Sequence, residues 1–222
     1  MSVYSYCLET EVSYNRTCST LKMPVGIEKR DYIIKLFSLY KNANYFNSKV
    51  VRVEKIGKRK KKSEIEIALI DFFDFLLINI ILNQYQDFAS YLKKTGKYDE
   101  VKDTMERLNC YRAQMIQVED FKTLISSGIS SNALAVSVLL TDQQGNYLLT
   151  KRSGTVGIGE KLYSVTATGA VDENDYSQSD PIRNCVLREL REELNIHIKN
   201  EDLQISAIVA GVQKLQPIAI VN

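Results

Sequence analysis

The chain has 222 residues, of which 45% are hydrophobic and 25% charged, which is the composition of a folded globular protein and excludes a disordered or fibrous one. Its net charge of +2 is too close to neutral to select a nucleic acid, a membrane surface or an acidic substrate by bulk charge alone. Four cysteines without CxxC spacing and a single histidine, His197, argue against a Cys/His zinc site and for reduced thiols in a cytoplasmic protein.

The first residues have neither a basic segment nor a continuous apolar run, so no secretory signal is expected. Val3 to Val12 reads as a strand and Met23 to Gly26 as a turn, whereas Asp31 to Tyr40 fits either a helix or a strand. Lys49 to Ile56 and Ser63 to Ile70 partly alternate and flank a glycine and a run of cations, the pattern of a β-hairpin. The cations Lys58 to Lys62 lack interleaved aromatic residues and a recognition helix. They read as a solvated hairpin tip, and nucleic acid is not expected as a partner.

Ile67 to Leu82 is the most apolar stretch. It is shorter than the roughly 20 residues a membrane span needs and carries Asp71, Asp74 and Asn79, so a buried core helix is expected. Asp71 is placed to cap that helix, which should run to Thr95-Gly96. A second helix is expected from Tyr98, with Phe121 to Ile125 continuing it or standing alone. Ile125 to Asn132 is small and polar and reads as a linker. It divides the chain into residues 1–130, an α+β domain of unassigned role, and residues 131–222.

After that boundary, Ala133 to Thr141 is a buried strand, Asp142 to Asn146 a hairpin loop and Tyr147 to Arg152 the returning strand. A third strand, Leu162 to Thr168, delivers the chain to Gly169. A helix follows, with Asp180 as its N-cap, Pro181 as its first residue and Asn195 at its left-handed end. Ile182, Val186, Leu190 and Leu194 form its apolar stripe. Beside that stripe Glu189, Glu192 and Glu193 crowd onto one third of the circumference, where like charges repel. Such crowding calls for a positive partner, and a divalent metal ion suits it. Ile196 to Ile198, Leu203 to Val209 and Leu215 to Val221 read as short strands, with His197 a structural residue of the first.

Strands leading into a glycine and then a helix bearing Arg188-Glu189-Leu190-Arg191-Glu192-Glu193-Leu194-Asn195-Ile196 resemble the Nudix box, REUxEExGU with U aliphatic, of the Nudix hydrolase family. Every specified position matches except the glycine, which is Asn195 here. The resemblance covers about residues 131–222 and implies a C-terminal α/β/α-sandwich domain behind a mixed α+β N-terminal domain. It further implies that Gly169, Glu189, Glu192 and Glu193 bind Mg²⁺ or Mn²⁺, that one glutamate activates water, and that Arg188 orients a catalytic glutamate. Lys151 and Arg152 are candidate phosphate contacts, with surface ion pairs as the alternative role.

The chain departs from the family pattern in three places. Gly169 and Arg188 are 19 positions apart, five more than in the family, so the intermediate acidic position falls on Asp180 by counting back, with Asp172, Glu173 and Asp175 as alternatives. Ala167-Thr168-Gly169 replaces the usual Pro-Gly-Gly. The segment after the box is short, which leaves three alternatives: a truncated chain, completion of the fold by the N-terminal region, or completion by a second copy in a homodimer. The function implied is metal-dependent hydrolysis of a diphosphate linkage in a nucleoside diphosphate linked to another moiety. The alternative is a non-catalytic nucleotide-sensing module with the N-terminal domain as effector.

Overall fold

The computed structural model describes residues 3–9, 11–19, 21, 23–115, 117, 120–128, 130–151, 163–211 and 214–222. The N-terminal part contains β1 (Val3–Cys7), β2 (Glu11–Arg16), α1 (Ile27–Lys41), β3 (Lys49–Arg59), β4 (Lys62–Asp71) and α2 (Phe72–Phe75). It continues through α3 (Tyr85–Lys94), α4 (Tyr98–Met115) and α5 (Phe121–Ser126). The C-terminal part contains β5 (Ala135–Val138), β6 (Thr150–Lys151), β7 (Tyr163–Ser164), β8 (Ala167–Ala170), α6 (Glu173–Tyr176), α7 (Pro181–Leu194), β9 (Ile205–Gly211) and β10 (Pro217–Val221). The fold is therefore α+β.

Among the described residues three sheets organise it. The largest has the order β1-β9-β10-β5-β8, with β10 parallel to β5 and the other pairs antiparallel. The N-terminal strand β1 thus supplies the edge beyond β9, with Val3 opposite Gly211 and Cys7 opposite Ala207. The second sheet has the order β2-β4-β3, and β6 and β7 form a separate two-stranded ribbon. Strand β3 is stitched to the C-terminal part by backbone hydrogen bonds from Val51 to Val171, from Leu134 to Val51 and from Val53 to Asn132. One apolar core runs across this seam: Val51, Val53, Ile65 and Ile67 of the hairpin pack with Val136, Ile182, Val186 and Leu190. A second core, built from Phe37, Leu77, Phe88, Leu92, Val101 and Met105, holds the helical layer together.

The ambiguous segment at Asp31 to Tyr40 is helical because Ile33, Ile34 and Phe37 recur at helical spacing and are buried. The hairpin is longer than its sequence pattern. Its ladder continues to Arg59 opposite Lys62, leaving a turn at Lys60, which has φ +57°, and Lys61. Around this tip, Lys58 pairs with Glu9 at 2.6 Å and Lys62 with Glu11 at 2.5 Å, so part of the cationic run is neutralised by the neighbouring N-terminal segment.

Several expectations are corrected. The helix expected from Asp71 to Thr95 is broken into α2, a π-helical stretch at Leu76–Ile81, a 3₁₀ turn at Leu82–Gln84 and α3. Asp71 makes no side-chain cap, because its carboxylate is held by Arg30 at 3.0 Å and Lys49 at 2.7 Å. Ile196 to Ile198 is not a strand: the Ile196 N–H turns back onto the Leu190 carbonyl to finish α7, and His197 is exposed. The small polar segment before Ala133 is not solvated. Ser130, Ser131 and Asn132 are fully buried, Ser131 Oγ donates to Asn79 Oδ1 at 2.5 Å, and Asn132 Nδ2 donates to the Ile125 carbonyl at 2.9 Å. Among the described residues no helix is long and apolar enough to cross a membrane.

Candidate functional site

The helix α7 is fixed at both ends by its own sequence. Asp180 accepts from the Arg183 N–H at 3.1 Å as N-cap and also from the Tyr14 hydroxyl at 2.9 Å, which ties the helix start to β2. Burial, and then the charge of Asp180, raise the Tyr14 hydroxyl well above its ordinary pKa, so it stays a donor. At the other end Asn195 takes φ 53° and returns its N–H to the Arg191 carbonyl, while the Ile196 N–H returns to Leu190, the left-handed stop that the asparagine permits. Ile182, Cys185, Val186 and Leu190 are buried, which turns the glutamate side of the helix toward β8 and solvent.

Glu189 is the most enclosed of the three glutamates, with its side chain 12% exposed against 61% for Glu192. It lies directly on Gly169 of β8: a Cβ built on that glycine would sit 2.1 Å from the Glu189 carboxyl carbon. Only glycine leaves room for this approach. Glu193 is exposed, like Glu192. Burial pushes the Glu189 carboxyl above its ordinary pKa; Arg188 pulls it down, and the charges of Glu193 and Glu192 push it up again.

Arg188 is the hub. Its guanidinium reaches Glu189 at 2.7 Å, Asp175 at 2.9 Å, the Ala170 carbonyl at 3.1 Å and Glu192 at 3.4 Å. Burial works against its charge, but hydrogen bonding to Asp175 and the surrounding negative charge, Glu189 included, hold its pKa above the ordinary value. Its Nε is buried without a hydrogen-bond partner.

The acidic residue that meets Arg188 across the enlarged loop is Asp175, at 2.9 Å, with Asp172 farther away at 3.8 Å. Asp180, the position reached by counting back, is occupied with capping. The lengthened loop folds as α6, where Asp172 and Asp175 form a reciprocal capping box and Asp175 becomes 3% exposed. The sequence signal was present as an Asp-x-x-Asp spacing. The thiol of Cys185 completes the surroundings at 3.4 Å from the Ala170 carbonyl, and burial raises its pKa far above the usual thiol range.

The structure therefore brings together Gly169, Arg188, Glu189 and Glu192. Lys151 is exposed on the β6–β7 ribbon, and Arg152 lies outside the described residues. Among the described residues no three His, Cys, Asp or Glu side chains are gathered as a ready metal cluster, because Arg188 pairs with the Glu189 carboxylate and the other two glutamates point outward to solvent. The donor set nonetheless fits a hard divalent cation. Carboxylate oxygens line one helix face, the Gly169 backbone lies against Glu189, and a bound cation would offset the burial and the neighbouring glutamate charges that raise the Glu189 pKa.

A cavity of about 400 Å³ lies between the α1–α2 region and the sheet and meets this site at Gly169. Phe37, Lys41, Tyr45 and Phe72 form one wall, and residues of β5 and β8, including Gly169, form the other. Composition alone did not assign Tyr45 or Phe72 to a site.

A family model described as NUDIX domain matches residues 131–214, the segment running from before β5 to the turn ahead of β10. No curated protein matches the chain.

Proposed function

We propose that the chain, whose residues 131–214 match the NUDIX domain model, hydrolyses the diphosphate linkage of a nucleoside diphosphate joined to another moiety. The observation that carries this reading is the contact between Gly169 and Glu189 beneath the grip of Arg188, because it sets a carboxylate against a strand position that has no side chain.

Glu189, Glu192 and Glu193, with the Gly169 backbone, would hold Mg²⁺ or Mn²⁺. When bound, such an ion neutralises phosphate charge and lowers the pKa of water. The chain's own residues do the rest. Arg188 holds the Glu189 carboxylate in place and is itself anchored by the buried Asp175. One carboxylate of the helix face accepts the proton from the attacking water as that water's oxygen bonds to one phosphorus. The bridging P–O bond breaks, and the other phosphate departs with its electron pair. Lys151 is assigned a phosphate contact from its exposed position on β6.

The test is purified protein with Mg²⁺ or Mn²⁺ against a panel of nucleotides and nucleotide-sugars, beside Glu192→Gln and Glu193→Gln. Turnover that falls at least a hundredfold in both variants supports the assignment. Turnover that is indifferent to them removes these residues from the mechanism. The ion pair that already engages Glu189 favours a second reading, a nucleotide sensor, and ligand-induced thermal stabilisation without turnover would select it.

A further inference from the structure

The N-terminal helical layer does more than pack. It forms the far wall of the 400 Å³ cavity whose near wall includes Gly169, the residue pressed against Glu189. That volume is within the range of small-ligand pockets. Phe72 and Tyr45 are both half-buried, so each keeps ring surface accessible. Tyr45 packs against Phe37, with ring centroids 5.9 Å apart and planes at 26°, and Phe72 against Phe75 at 5.8 Å. Rings held by an aromatic neighbour are ordered surfaces for a flat partner.

The remaining lining suits the same partner. Gln84 and Gln216 bring amides that both donate and accept hydrogen bonds, matching the edge of a heterocycle. Ser137 and Thr168 add hydroxyls on the sheet side, and Lys41 adds a cation. A purely apolar occupant would leave these groups unmatched.

We propose that this cavity binds the base of a nucleoside diphosphate, stacked on Phe72 and Tyr45, with the diphosphate passing Gly169 toward the glutamate face. The inference rests on the hydrolase reading for its orientation. It assigns substrate selection to residues outside 131–214, so that the N-terminal layer is the specificity element of the site. Base–aromatic stacking is commonly worth about tenfold or more in affinity per ring.

Calorimetric titration in Mg²⁺ with two probes, ADP and inorganic pyrophosphate, tests it on the full chain. Phe72→Ala and Tyr45→Ala should each raise the ADP Kd about tenfold and leave the pyrophosphate Kd unchanged. Phe72→Tyr should restore ADP binding, and the unchanged pyrophosphate Kd of each alanine variant guards against a folding artefact in that variant. ADP binding no tighter than pyrophosphate binding, or indifferent to both alanine variants, overturns the proposal. Phe72-dependent ADP binding in a protein that turns over nothing in the nucleotide panel overturns the hydrolase reading and leaves the base pocket standing.

Discussion

Gly169 and Glu189 share a contact that a side chain at position 169 would obstruct, since a methyl group on the glycine would fall 2.1 Å from the carboxyl carbon. The Glu189 side chain has little room to retreat, being 12% exposed and tied to Arg188 at 2.7 Å. Gly169→Ala should therefore displace the carboxylate and cost about 1–3 kcal/mol of stability through overpacking. Activity should fall by at least tenfold, well beyond what the stability loss explains, because misplacement of a reacting group by about 1 Å costs on the order of a hundredfold in rate. Steady-state kinetics together with urea unfolding of the same variant check both effects.

Arg188 joins a helix, a strand and the inserted loop at one guanidinium, through Glu189, the Ala170 carbonyl and Asp175. Replacing it with alanine strands Asp175, whose side chain is only 4% exposed, and should destabilise the protein by about 3 kcal/mol. Lysine restores one charge but not the planar fork, so Arg188→Lys should recover less than half of that loss. Asp175→Asn, which keeps size and removes charge, should lie between wild type and Arg188→Ala. Chemical denaturation of the three variants under one buffer decides the order.

The sequence carried the local parts of this site well. The cap at Asp180, the left-handed stop at Asn195 and the placement of the glutamates all follow from short-range rules, and the structure shows the first two directly. What it did not carry depends on partners far along the chain. Ser130 to Asn132 looks like a solvated linker until Asn79 and the Ile125 carbonyl are seen to satisfy it. The pairing of β1 with β9 joins residues about two hundred positions apart, which no periodicity encodes. Asp71 has the right residue type for a cap, but two cations compete for its carboxylate and win. The cavity wall at Tyr45 and Phe72 was invisible for the same reason, since an aromatic residue reads equally as core until the opposite wall is known.

The raised pKa of Glu189 has a definite sign in stability. Burial, opposed by Arg188 and reinforced by Glu193 and Glu192, makes the folded protein hold this proton more tightly than the unfolded chain does. Stability from this group is therefore present below the unfolded glutamate value, about 4.3, and is lost as pH rises through the higher folded value. Glu189→Gln removes the titration. Its melting temperature relative to wild type should increase between about pH 4 and pH 7, whereas its turnover should be abolished. Parallel thermal melts across that range read the first effect. A constant difference between the two proteins would show that Glu189 titrates normally.

Asn79 fastens the helical layer to the C-terminal part from inside. It is fully buried in the π-helical stretch, donates from Nδ2 to the Lys214 carbonyl at 2.6 Å and to the Leu215 carbonyl at 3.3 Å, and accepts from Ser131 Oγ. Ser130 Oγ donates to the same Leu215 carbonyl at 3.3 Å. Leu76 and Ile80, on either side of Asn79, line the cavity, as does Lys214, so this knot also sets how the two walls stand. Asn79→Ala leaves buried carbonyls short of a donor and should cost about 2–4 kcal/mol. Asn79→Leu, which fills the volume without the hydrogen bonds, should be no better, because the loss is polar and not one of packing. If the walls are coupled as described, both variants should also raise KM for a nucleotide substrate at a temperature where they remain fully folded. Far-ultraviolet circular dichroism beside the kinetics confirms that condition.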